Sequence, residues 1–256
     1  MLFAYRPNGT SLERHVVEPG QPVPEGTVWF DLISPSGFED KIVEQALGIA
    51  IPTREEMQEI EISSRLYREA GVRYMTAALL CLSDTPHPII SPVTFILSAG
   101  HLVTVRYAEP RPFTIVGLKL GRLCPVGING EMVLMQLLDA IIDRAADILE
   151  KISAEVDRVS RDVFEPNGES AGGTPYKNVL IAIGRQGDLT SKARESLVSM
   201  GRLVLFLANE ADDLRWPKDE RAQLKVMQRD VQSLSDHASY MSNKVTFLLN
   251  AMLGVV

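Results

Sequence analysis

From Leu224 onward the apolar positions form an unbroken seam. Leu224, Met227, Val231, Leu234, Ala238, Met241, Val245, Leu248, Met252 and Val255 follow one another in alternating steps of three and four. That spacing keeps one stripe of a helix apolar and predicts a long helix packed along a straight partner. Pro217 is expected at its first position, with Asp219 and Glu220 in the first turn, where acids suit the helix dipole. Helix from Pro217 to Val256 would span roughly 60 Å at the standard rise, the length of a stalk. After Asp236 only Lys244 is charged, and no glycine cap, proline or basic last turn closes the pattern. The chain is therefore expected to be a piece of something longer, with an apolar continuation.

Two more helices are predicted upstream. Leu134, Leu138, Ile141, Ala145, Ile148, Ile152, Val156, Val159 and Val163 mark one helix over Glu131–Phe164, and a looser repeat marks another over Tyr176–Leu207. The Gly/Pro/Ser stretch between Glu165 and Pro175 reads as a loop with a mobile tip, so the pair forms a long antiparallel hairpin.

The first 125 residues have a different texture, rich in β-branched runs and turn residues. Leu2–Tyr5 and Glu13–Val17 flank a Pro-Asn-Gly turn ending at Gly9, and Thr27–Ile33 reads as a buried strand. Ser34 or Ser36 caps a helix that Gly48 ends, and Thr53 with Glu56 makes a capping box. Hairpins are expected around Glu69–Gly71, joining Arg65–Arg68 to Val72–Leu82, and around Ala99–Gly100, joining Val93–Ser98 to Leu102–Tyr107. The predicted class is α+β. An N-terminal α/β layer with a mixed or antiparallel sheet (1–125) precedes an acidic helical hairpin (126–210) and the stalk helix (211–256).

Composition narrows the function. The formal net charge of −7 argues against nucleic acid as a partner. Cys81 and Cys124 lack ligand spacing and read as reduced, buried thiols of a cytosolic protein. No signal peptide opens the chain, and no window reaches the roughly 18 to 20 apolar residues of a membrane span. Nucleotide loops, nucleophile elbows and zinc-protease motifs are missing, so the sequence suggests no enzyme.

Acidic clusters carry the remaining chemistry. Asp139, Asp143 and Asp147 stand at i, i+4 and i+8 on one helical stripe. Such like charges repel, and carboxylate oxygens suit hydrated Mg²⁺. The alternative is a solvated face relieved by Arg144 and Lys151. Glu55, Glu56, Glu59 and Glu61 form a second cluster, with Arg54 and Arg65 placed to neutralise it. It becomes ion-binding only against another acidic surface, as at a subunit boundary. Asn243 and Asn250, seven apart and off the seam, either line an axial passage in a ring of helices or are ordinary surface.

Four segments together carry a family resemblance: Trp29–Pro35, the acidic Thr53–Arg65, Arg229–His237, and Lys244–Gly254. In these the chain resembles the CorA family of divalent-cation channels, its enterobacterial-type branch most of all. The resemblance spans essentially the whole chain. It implies a homopentamer on the cytoplasmic face of the bacterial inner membrane, its cytosolic funnel below a small pore. The membrane would be reached through a segment beyond Val256. It also implies transport of Mg²⁺, and often Co²⁺ or Ni²⁺, with divalent ions between subunits holding the closed state. The family's Gly-Met-Asn selectivity motif is absent from this sequence. Some branches carry acidic sensor or pore-end residues at positions that fall near Met57, Val226 and Asn250, so Glu56, Glu59 and Asp230 are the substitute sensor candidates. A Zn²⁺ transporter of the same fold and a soluble coiled-coil scaffold are the alternatives.

Overall fold

The structure, a computed structural model, describes residues 1–164, 175–213 and 215–255. The connection at 165–174 and the side chain of Val255, the last expected seam position, lie outside the described residues.

Seven strands form one mixed sheet: β1 (Leu2–Asn8), β2 (Ser11–Val17), β3 (Trp29–Ile33), β4 (Leu66–Glu69), β5 (Val72–Cys81), β6 (Ile89–Ser98) and β7 (His101–Arg106). Their order across the sheet is β2-β1-β3-β7-β6-β5-β4, antiparallel except for the parallel central pair β3 and β7. The expected hairpins are present. Ala99 and Gly100 turn β6 into β7 with φ of 45° and 82°, the doubly left-handed turn that matches strand twist.

Side-chain alternation divides the sheet into two faces. Leu2, Ala4, Phe30, Leu32, Tyr74, Ile96, Val103 and Val105 share one core. Two helices, α1 (Gly37–Leu47) and α2 (Arg54–Met57), cover it through Val43 and Met57. Ser36 is the cap of α1, and Gly48 ends it at φ 66°. A one-turn helix, α3 (Ile62–Arg65), stands where strand was expected from Arg65, and β4 follows it.

The opposite face carries Phe3, Tyr5, Trp29, Met75, Phe95 and Leu102, packed under α4 (Arg111–Arg122), α5 (Gly130–Phe164) and α6 (Pro175–Glu210). Helix α4 had no counterpart among the expected elements. Pro112, Gly117 and Gly121 dilute its helical signal, yet Phe113, Val116 and Leu120 bury one face at helical spacing. β4 pairs with β5 only as far as Met75. Beyond that point Ala78 N–H donates to Ser199 Oγ (2.9 Å) and Leu80 N–H to Ser196 Oγ (3.3 Å), so α6 supplies the hydrogen bonds that an open sheet edge lacks.

The last helix, α7 (Lys218–Val255), has 38 residues. Pro217 precedes it as the cap rather than occupying its first position: its carbonyl accepts from Arg221 N–H at 3.1 Å. Every seam position from Leu224 to Met252 is buried except Leu234, which is half-buried. The seam's partner lies within the chain. Asp157 pairs with Lys244 and Phe164 stacks near Phe247, so α5 and α7 run parallel. A Cβ on Gly201 would sit 3.3 Å from Val231 Cγ1, and one on Gly187 3.4 Å from Val245 Cγ1, so α6 runs antiparallel and close. One continuous core joins the sheet to this three-helix layer.

Candidate functional site

The two acidic clusters are anchored to opposite faces of the sheet. Met57 plugs α2 into the core beside α1, whereas α5 and α7 belong to the core on the other side.

On α2, Glu56 is committed locally. Its carboxylate accepts from Thr53 N–H at 2.8 Å and Thr53 Oγ1 at 3.1 Å, which completes the expected capping box. Glu59 is exposed, and its backbone carbonyl accepts from Arg65 Nε. The arginines placed by sequence to neutralise this cluster act elsewhere. Arg54 lies over the Tyr107 ring at 4.9 Å, and Arg65 is spent on that carbonyl. Glu56 and Glu59 both contribute to raising the Tyr67 phenol to about 12, after burial and the neighbouring Tyr74 and Glu69.

On the helical side, tertiary structure assembles what the sequence only half displays. Asp139 and Asp143 are neighbours on α5, and Asp230 on α7 acts on the same spot. The Asp139 carboxyl is raised above its ordinary value, first by burial, then by Asp143, with Lys119 opposing and Asp230 adding. Asp147 is exposed one turn further along. Arg144 and Lys151, the cations expected to relieve this stripe, instead converge on Asp84 at 2.5 and 3.0 Å. A second acidic pair went unforeseen. Glu220 is raised by burial and then by Glu131, across the first turns of α5 and α7. Each glutamate is visible in the sequence, but their approach depends on the two helices being parallel. Asn243 and Asn250 are exposed on α7, off the seam.

Among the described residues, no three His, Cys, Asp or Glu side chains come together in a way that could hold a metal ion. Asp139, Asp143 and Asp230 are near enough to act on one another by charge, without forming a ligand cage. Among the same residues, no helix is long and apolar enough to cross a membrane.

Residues 24–256 match the family described as CorA-like Mg2+ transporter protein. The chain belongs to the CorA family. It is 28% identical to the magnesium transport protein CorA of Escherichia coli K12 over 256 residues, all of this chain and 78% of that one. Identity to the Haemophilus influenzae (strain 86-028NP) protein of the same name is 26% over the same coverage. The fold superposes on the complete CorA magnesium transporter from Methanocaldococcus jannaschii with a TM-score of 0.77 at 13% identity, covering all of this chain and 77% of that one. It also superposes on the ZntB cytoplasmic domain from Vibrio parahaemolyticus, with a TM-score of 0.68 at 9% identity and coverage of 98% and 96%. This member of the family thus carries an acidic stripe on α5, approached by Asp230 of α7, whose neighbours Arg144 and Lys151 pair with Asp84 instead.

Proposed function

We propose that this chain is the ion-sensing cytoplasmic part of a CorA-type Mg²⁺ transporter that works as a homopentamer, with Co²⁺ and Ni²⁺ as further cargo. In this reading residues 1–125 form the funnel wall, 126–210 the acidic hairpin and 211–256 the stalk that transmits the signal. The convergence of Asp139, Asp143 and Asp230 supports it most directly. Carboxylates held together at a cost in repulsion are stabilised by any divalent cation that arrives, and stability then tracks ion concentration. Loss of Mg²⁺ lets the acidic faces repel and biases the assembly toward its open form. Glu56 and Glu59 are second candidates, lying on the other side of the sheet, where a neighbouring subunit could complete a bridge. Asn243 and Asn250 are the proposed passage-facing positions of the stalk.

Light scattering and thermal melting with and without about 10 mM Mg²⁺ test this reading, since saturating a weak site shifts the melting temperature by mass action. Mg²⁺ is expected to raise both the melting temperature and the associated fraction. The triple variant D139N/D143N/D230N should lose most of both responses. A triple variant that responds as the parent does removes these residues as the sensor.

A further inference from the structure

We propose that the connection between α2 and α3 in one copy of this chain docks on the outer face of α4 in the next copy, head to tail. The contact rests on the self-assembly read above and deepens it by naming two faces that meet without an ion between them.

Both faces are apolar where a surface should be polar. α4 packs Phe113, Val116 and Leu120 against the sheet, so its opposite side is expected to carry polar residues. Ile115, Leu118, Lys119 and Arg122 share that side at steps of three and four, and Leu118 is 61% exposed. The chain beyond α4 extends the patch with Leu123 at 69% and Val126 at 92%. Leu118 and Arg122 also line the cleft between α4 and β2, so a recess adjoins the patch. On the other side of the sheet, Ile60 is 87% exposed in the connection from α2, and Ile62, exposed as well, opens α3. Val126 and Ile60 are the two most exposed large apolar side chains among the described residues. Exposed apolar groups rimmed by polar residues mark interaction surfaces.

The rims carry opposite charge. Between Pro110 and Gly130 the sequence holds three cations, Arg111, Lys119 and Arg122, and no acid, in a chain of net charge −7. Glu55, Glu59 and Glu61 flank Ile60 along the chain, and all three are exposed. Among the described residues no ion pair takes up Arg122 or any of these glutamates. An acidic apolar knob and a basic apolar face attract and orient each other. They cannot meet within one copy. α4 lies along β2: a Cβ on Gly121 would sit 3.7 Å from the Leu12 carbonyl oxygen, and Cys124 N–H, just past the helix, donates to the Thr10 carbonyl at 2.8 Å. Glu56 and Glu59 act on Tyr67 of β4. β2 and β4 are the two edges of the seven-stranded sheet, roughly 28 Å apart at the usual strand spacing. The two faces are also anchored in the cores on opposite sides of that sheet. The chain's own next copy carries the complement to each. A contact between two different faces repeats from copy to copy, so it closes a ring or grows a filament.

Cysteine cross-linking tests the contact, because Cys81 and Cys124 are buried and leave the surface free of thiols among the described residues. I60C and V126C are prepared singly, mixed in the presence of Mg²⁺ and oxidised with copper phenanthroline. The mixture is expected to give a linked pair at least about tenfold faster than either variant alone, since only the mixture places both thiols in one contact. E55K/E61K and R122E, which spare the sensor candidates, should each weaken association of the chain by about three- to tenfold. Combined, they restore opposite charges across the contact and should return association to within about twofold of the parent. Linkage no faster in the mixture than in the single variants overturns the contact, as does undiminished association in both charge variants or a combined variant no tighter than either. Light scattering of the parent in the same buffer separates two failures. A parent that associates while the mixture stays unlinked loses only this contact, and its two faces are left to other occupants. A parent that remains a single chain removes the self-assembly reading as well.

Discussion

The sheet and the three-helix layer handle their carboxylates in opposite ways. Asp31 is almost wholly buried between β3 and β7, and both of its oxygens are taken by Arg106 and Thr104. Such a pair survives burial only because its hydrogen bonding is complete, and it fixes the register of the parallel strands that hold it. Asp139 is half-buried on α5 with Asp143 and Asp230 as neighbours, and the nearest cation that acts on it, Lys119, also donates to Gln136 at 2.6 Å. One carboxylate is an anchor with nothing left to bind. The other is half-buried beside like charges, and in the proposed reading an arriving cation relieves it. The paired carboxylate thus belongs to the sheet and the unpaired acidic group of Asp139 to the helical layer.

The sharpest way to break this contrast is to remove one half of the anchor. Asp31→Leu leaves the Arg106 guanidinium buried beside Phe113 with no counter-charge, and should cost about 3–5 kcal/mol in urea unfolding. The double variant D31L/R106M should recover much of that loss, because an apolar pair of similar volume needs no desolvation. Single and double variants of equal stability would mean that the pair is not a unit and that Arg106, which also donates to the Ala108 carbonyl, does not need Asp31.

The next effect lies at the joint between the layers. Gly130 opens α5 directly against the β6–β7 turn, with its N–H donating to the Gly100 carbonyl at 2.7 Å. A Cβ there would fall 2.3 Å from Leu102 N and 2.4 Å from the His101 carbonyl carbon. Both obstacles are backbone, so no side chain can swing away. Gly130→Ala should cost about 1–3 kcal/mol or more by overpacking, and should speed amide exchange in β7 before it does so in α7. A neutral Gly130→Ala would mean that sheet and helices are less firmly joined than this contact implies.

Legibility in the sequence follows the range of the interaction that decides each feature. The α7 seam was readable because helical period depends only on neighbours along the chain, and Leu224 through Met252 duly face inward. The hairpin turns at Gly71 and Gly100 were readable because glycine permits positive φ. The parallel pairing of β3 with β7 was not, since the strands are some seventy residues apart and nothing local in either marks its partner. Helix α4 was hidden by its own glycines, which line the cleft against β2. At the candidate site the Asp139–Asp143 stripe was visible as spacing. Its meeting with Asp230 and the loss of Arg144 and Lys151 to Asp84 depend on packing between distant segments, which no local pattern carries.

The smallest predicted effect bears most directly on the acidic face. The Asp139 carboxyl is raised in the folded chain, so folding favours its protonated form. Below the ordinary aspartate range both folded and unfolded chains are protonated there, and the group costs nothing. As pH rises through that range the unfolded chain ionises first, so stability falls until the pH passes the raised folded value, and the loss then stays constant. Asp139→Asn should therefore melt higher than the parent at neutral pH. The gain should be a few tenths to about 1 kcal/mol, given the repulsion of like charges one helical turn apart, and it should vanish in acid. Millimolar Mg²⁺ should shrink the gain at neutral pH, because the cation supplies to the parent what the substitution supplies to the variant. Melting curves of both chains across that pH range, with and without Mg²⁺, read all of this in one set. An advantage that persists in acid would be packing rather than charge, and Asp139 would then be no more responsive than the anchored Asp31.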